Sequence, residues 1–127
     1  MQVNLPEVVA EVEAAFRRYE TALMANDVDT LNDLFWRSPE TVRYGAVEAL
    51  HGHDAIVAFR RARDVADLAR ELVDTRITTF GRDTATAFTE YQRTGSGRRG
   101  RQSQTWVRMP EGWRIVAAHV SLLPDGD

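Results

Sequence analysis

The chain has 127 residues, enough for one domain, and its 43% hydrophobic and 28% charged residues are an ordinary globular balance that excludes disordered and fibrous classes. A net charge of −3 argues against a nucleic-acid partner, and the absence of Cys removes disulfides, thiolate nucleophiles and thiolate metal sites. No apolar run reaches the ~18 residues that span a bilayer, and Met1-Gln2-Val3-Asn4 lacks the basic start of a secretory signal, so the expectation is a single cytoplasmic domain over 1–127 without membrane contact.

The first half reads as helical. Val8, Val12, Phe16, Tyr19 and Leu23 fall on one stripe of a helix from about Pro6 to Ala25, with Asn4 as a candidate cap and Asn26 at its end. A second helix is predicted from Val28 to about Trp36, capped by Asp27 or Asp29 and broken by Ser38-Pro39. Thr41 to Gly45 has β character, with Arg43 facing opposite to Val42 and Tyr44. A third helix is expected from about Ala55 to Arg63, followed by a partly helical connection through Asp64–Glu71. The second half alternates with period two. Leu72–Phe80, Thr84–Arg93, Gln102–Met109 and Trp113–Leu122 are predicted strands, separated by Gly81-Arg82-Asp83, a polar loop over 94–100, and Pro110-Glu111-Gly112. Helices segregated from a run of strands define an α+β domain, and a strongly curved sheet on the long first helix would enclose a cavity.

All 16 basic residues are Arg, the side chain that grips carboxylates with a planar, two-bonded fork. Arg43 on the cavity side needs a partner, which a local Glu or Asp or a ligand carboxylate could supply. Arg60 and Arg63 share a face with Ile56 and Phe59, so either could be a second clamp or lie on a solvated face, with Arg61 exposed. Tyr19 lies on the apolar stripe, either as a core Tyr bonded to backbone or as a phenol reaching the cavity. Trp36 walls a pocket or simply packs. His119, read on the same face as Ile115 and Ala117, is a candidate acid or base or a sheet-face His bonded to Ser121 or Gln104. The alternation of Gln102, Gln104 and Trp106 makes Gln104 a further pocket candidate. His51 and His53 read as loop histidines, and no metal cluster or covalent nucleophile motif is present.

This order resembles the SnoaL-like branch of the NTF2-like superfamily. The residues that carry it are Tyr19–Leu23 with Asn26-Asp27, Leu31–Trp36, Val42-Arg43-Tyr44-Gly45, Gly52-His53-Asp54-Ala55-Ile56 and the closing run from Gly112 to Ser121. Leu34-Phe35-Trp36, the strand around Arg43 and Ala58–Arg63 resemble the AtzH-like family more closely. The resemblance implies an NTF2-like, cone-shaped, curved antiparallel sheet packed on N-terminal helices. It implies a cofactor-free hydrolysis and decarboxylation of 1,3-dicarboxyurea, or a related dianionic ureido acid, to allophanate, in a pathway shared with amidases. Tyr19 and Arg43 match its catalytic positions, leaving Trp36, Arg60, Arg63, Gln104 and His119 as candidate substrate contacts. A homodimer through the outer sheet face is expected. Two other readings stay open: a non-catalytic protein that binds a ureido acid or assembles with an amidase, and a SnoaL-like isomerase or dehydratase with an Asp–His dyad.

Overall fold

A computed structural model describes residues 1–124. The first helix, α1 (Pro6–Ala25), buries the whole stripe from Val8 to Leu23 that the sequence spacing marks. Pro6 starts it without losing a helical hydrogen bond, and Asn26, at φ 50°, ends it by returning its backbone N–H to the Leu23 carbonyl at 3.1 Å. Asn4 does not cap this helix. Its side-chain oxygen accepts instead from the Thr79 N–H at 2.9 Å and ties the N-terminal segment to the sheet. α2 (Val28–Leu34) is capped by Asp27, which accepts from the Thr30 N–H at 3.2 Å. It stops two residues earlier than its apolar pattern suggests, because Phe35 turns extended and bridges Ile115.

β1 (Val42–Tyr44) and β2 (Ala49–His51) form a hairpin, and β2 carries no period-two signal long enough to be seen in the sequence. α3 (His53–Ala62) follows. Its first residue, His53, is buried, and the ring Nε2–H donates to the Asn32 carbonyl at 2.7 Å. No helix occupies the segment before β3 (Arg70–Phe80), which begins at Arg70. β4 (Thr84–Arg93), β5 (Arg99–Met109) and β6 (Gly112–Leu122) complete the meander.

The six strands lie in the order β2-β1-β6-β5-β4-β3. All neighbours are antiparallel except β1 and β6, which run parallel, so the expected antiparallel sheet is mixed at this one seam. The sheet is curved and packs against the N-terminal helices in the α+β arrangement anticipated above. The core between them is built on Val8, Val12, Leu31, Phe35, Trp106 and Ile115, each inaccessible to solvent. Among the described residues no helix is long and apolar enough to cross a membrane.

One irregularity decides which side chains face inward. Trp106 pairs with Ile115 but Thr105 pairs with Ala117, so Val116 is an extra residue on β6. A one-residue bulge reverses every side chain beyond it. Trp113 and Ile115 are buried inside before the bulge, whereas Ala118 and Val120 take the inner positions after it.

Candidate functional site

At the open end of the sheet the inner face is polar. A cavity of about 300 Å³ lies between α3, β1 and the ends of β4 and β6, lined among others by Arg43, Phe59, Arg63, Tyr91 and Arg93. It continues into a recess of about 40 Å³ that reaches Tyr19, Arg70 and Gln102. α1 presents Tyr19 because it occupies the stripe position one turn before Leu23. β1 presents Arg43 because its neighbours on either side turn outward. The guanidinium from the short strand and the phenol from the long helix thus line one hollow, the arrangement that the sequence pattern left as one of two alternatives for each.

Arg43, Arg63, Arg70 and Arg93 line this chamber and Arg60 lies buried beside it, and only three of the five meet a carboxylate among the described residues. Arg43 Nη1 donates to Glu48 Oε1 at 3.1 Å. Glu48 can fold back because Gly45 has no Cβ, whose atoms would overlap its carboxylate. Arg70 Nε donates to Glu20 Oε2 at 3.1 Å, and its Nη2 bonds Glu20 Oε1. Arg93 faces Asp67 at 3.7 Å. Arg60 and Arg63 have no carboxylate partner among the described residues.

Arg60 is 2% exposed, yet its Nε and Nη1 have no hydrogen-bond acceptor. It stacks over the Phe35 ring at 5.3 Å. Burial pushes its guanidinium below the ordinary arginine range; the Tyr19 hydroxyl beside it opposes that shift, and Arg43 adds to it. Arg63, at the end of α3, leaves Nε and Nη2 unpaired, and burial followed by repulsion from Arg60 lowers it to about 10. Arg43 Nε is also unpaired. Buried donors without acceptors are costly, and an anion is the kind of group that this cluster could satisfy.

Of the residues singled out from the sequence, Tyr19, Arg43 and Arg63 line the chamber, and Arg60 lies buried beside Tyr19 and Arg43 without forming part of its wall. The other three do not line it. Trp36 is half-buried and is not part of the chamber wall; its backbone N–H bonds the Ile115 carbonyl at 2.9 Å and its carbonyl accepts from Thr41. Gln104 is buried on the inner face but deeper, accepting from the Trp106 indole N–H at 3.1 Å, and Gln102 takes the lining position instead. His119 lies on the outer face, beside Tyr44 with ring centroids 5.9 Å apart and opposite Ser103, because the Val116 bulge reverses the parity assumed from Ile115. With His51 exposed and His53 committed to Asn32, no histidine reaches the chamber.

Arg70, Tyr91, Arg93 and Gln102 are chamber residues that sequence reasoning passed over. Tyr91 follows Ala85, Ala87 and Thr89 at alternate positions of β4, so its inward orientation was legible. Its ring fills the space that Gly100 leaves open, and its hydroxyl donates to the Ser121 carbonyl at 3.0 Å. Arg70 gave no such signal, since the segment that holds it, Asp64–Glu71, reads as a partly helical connection rather than a strand.

Comparisons with known proteins agree with this architecture. A family model described as AtzH-like matches residues 1–126. A protein of unknown function from the DUF3225 family of Pectobacterium atrosepticum is 61% identical, with a TM-score of 0.93 over 96% of this chain and 95% of its own. A cystatin-like fold protein from Burkholderia xenovorans is 50% identical, with a TM-score of 0.92 over 99% of both chains. An NTF2-like superfamily protein from Salmonella enterica is 27% identical, with a TM-score of 0.74 over 94% of both chains. No curated protein sequence matches the chain. With its arginine-lined chamber set in an NTF2-like fold, the chain belongs to the AtzH-like family.

Proposed function

We propose that the chamber binds a small dianionic ureido acid, 1,3-dicarboxyurea or a close relative, and converts it to allophanate by decarboxylating hydrolysis. The observation that carries this reading is the pair Arg60 and Arg63: a buried and a half-buried guanidinium without carboxylate partners among the described residues, beside Tyr19 and Arg43. Two uncompensated positive charges suit two carboxylates, and each guanidinium can hold one through its fork of donors. Arg43 keeps Glu48 on one nitrogen and offers the other side of its head to the ligand.

The chemistry asked of these groups is modest. One N–C bond to a terminal carboxylate breaks, its electron pair returns to the nitrogen, and that nitrogen takes a proton. The carboxyl carbon leaves as carbon dioxide, which water hydrates to bicarbonate, and one carboxylate stays on the product. As the bond breaks, negative charge spreads onto the neighbouring urea carbonyl oxygen. The Tyr19 hydroxyl donates to that oxygen, and the guanidiniums fix the substrate in a site partly shielded from water. No step requires a covalent intermediate. The absence of any histidine from the chamber weighs against the Asp–His dyad of an isomerase or dehydratase.

The direct test follows allophanate formation from freshly generated 1,3-dicarboxyurea, with and without the protein. Acceleration over spontaneous decay is expected, and Tyr19→Phe is expected to slow it about 100-fold, the usual cost of one donor at a developing oxyanion. Stoichiometric binding with no acceleration would replace catalysis with the ligand-binding reading.

Dianion affinity is also expected to fall as pH rises through about 10, where Arg63 loses its proton while the ligand's carboxylates stay ionised. The same shift has a sign for stability. The unfolded chain holds this proton to higher pH, so the penalty for a buried charge is present below about 10 and is relieved above it. Calorimetric titration between pH 8 and 11 reads the effect, and an affinity constant across that range contradicts the role given to Arg63.

A further inference from the structure

Gln102 is 3% exposed and faces inward from β5 into the recess that also holds Tyr19, Arg43 and Arg63. Its Oε1 accepts from Arg70 Nη2 at 2.9 Å. A guanidinium has donors only, so the oxygen end of the amide must face Arg70 and the nitrogen end must face away. Arg70 itself has little freedom. Glu20 holds it through two hydrogen bonds, and its guanidinium carbon sits 4.5 Å from the centre of the Tyr91 ring. The amide is therefore locked in one orientation, and Nε2 is left as a buried donor without a partner among the described residues.

This orphan donor carries no charge, unlike the arginines around it. We propose that Gln102 Nε2–H binds the central carbonyl oxygen of the ligand and makes the chamber selective for dianions with a carbonyl between their two carboxylate arms. The inference rests on the dianion reading above and adds to it. In that reading Arg60 and Arg63 take the two carboxylates, and the central oxygen, to which Tyr19 donates, keeps a second lone pair for another donor. Glu20 and Arg70 act through Gln102 as positioning residues. A ligand with a methylene at that point leaves the donor buried and unpaired, which is the kind of mismatch that gives strong discrimination.

Two stable carbon analogues separate these contributions: 3-oxoglutarate, used fresh, and glutarate, which differs only in lacking the central carbonyl. Isothermal titration of the wild-type chain is expected to show about tenfold tighter binding of 3-oxoglutarate. Gln102→Met keeps the side-chain length without the donor, and is expected to bring the ratio of the two affinities close to one. Gln102→Glu keeps the bond to Arg70 and replaces the donor by an acceptor, so its ratio is expected at or below one even though overall affinity drops. Because the readout is a ratio, a partial loss of folded protein does not alter it. Equal binding of both diacids by the wild type, or a preference that survives in Gln102→Met, overturns the role of Gln102 and leaves the dianion chamber standing. Failure of the wild type to bind either diacid overturns both.

Discussion

Arg60→Met is expected to slow turnover about 1000-fold while raising the melting temperature of the free protein. Both effects follow from one arrangement. The Arg60 head is almost wholly buried, has no carboxylate partner among the described residues, and lies close enough to Arg43 for repulsion to depress its protonation. In the empty protein that charge is a liability. Replacing buried ionic groups by an apolar side chain of similar volume is commonly neutral or stabilising by roughly 1–4 kcal/mol. Met retains the packing against Phe35 that Arg60 now makes. With ligand present the balance reverses, because a carboxylate is then buried without its counterion, a loss of about 2–5 kcal/mol. Arg43→Ala is expected to lose turnover similarly but without the gain in stability, since it strips Glu48 of its partner. Thermal melts without ligand, set beside turnover rates, decide the matter. An Arg60→Met protein that is both less stable and fully active contradicts the assignment of this residue to the ligand.

Glu20→Ala is expected to cost about 3–5 kcal/mol of stability, the second large effect. Glu20 and Arg70 are 8% and 6% exposed and are joined by two hydrogen bonds between α1 and β3. Removing the carboxylate strands a buried guanidinium with only a neutral amide oxygen, from Gln102, to satisfy it. Breaking one half of a buried pair is far more damaging than removing both halves. The double change Glu20→Met with Arg70→Met is therefore expected to recover most of the loss. Chemical denaturation of the two single variants and the double variant closes the cycle, and simple additivity of the single losses contradicts a coupled pair. For a chain of this size the single loss corresponds to a fall of roughly 10–20 °C in melting temperature.

Both predictions concern residues whose legibility in the sequence differs. Arg60 and Arg63 were visible as a helical pair three residues apart on the side of Ile56 and Phe59, although spacing alone left open whether they faced solvent. Arg43 and Tyr19 were visible from strand and helix periodicity. The link between Glu20 and Arg70 spans 50 residues, and no local pattern joins a glutamate in an amphipathic helix to the first residue of a distant strand. His119 shows the opposite problem. Its period-two phase from Ile115 was sound, but one extra residue at Val116 turned it to the outer face. A bulge leaves little trace in a run of small and apolar residues such as Ile115-Val116-Ala117-Ala118.

Local chemistry in the chain determined the order of its main elements, their class and the apolar face of the first helix, because periodicity, caps and turn residues act over a few positions and need no distant partner. It also set the material of the site, by making every cation an arginine and by placing Tyr19 and Arg43 on inward faces. The tertiary structure decided how those charges are shared. Three guanidiniums meet carboxylates, two have none among the described residues, and Gln102 rather than Gln104 reaches the recess. Such assignments depend on strand register, on a single bulge and on contacts between residues far apart in sequence, which only the curved sheet packed on its helices fixes.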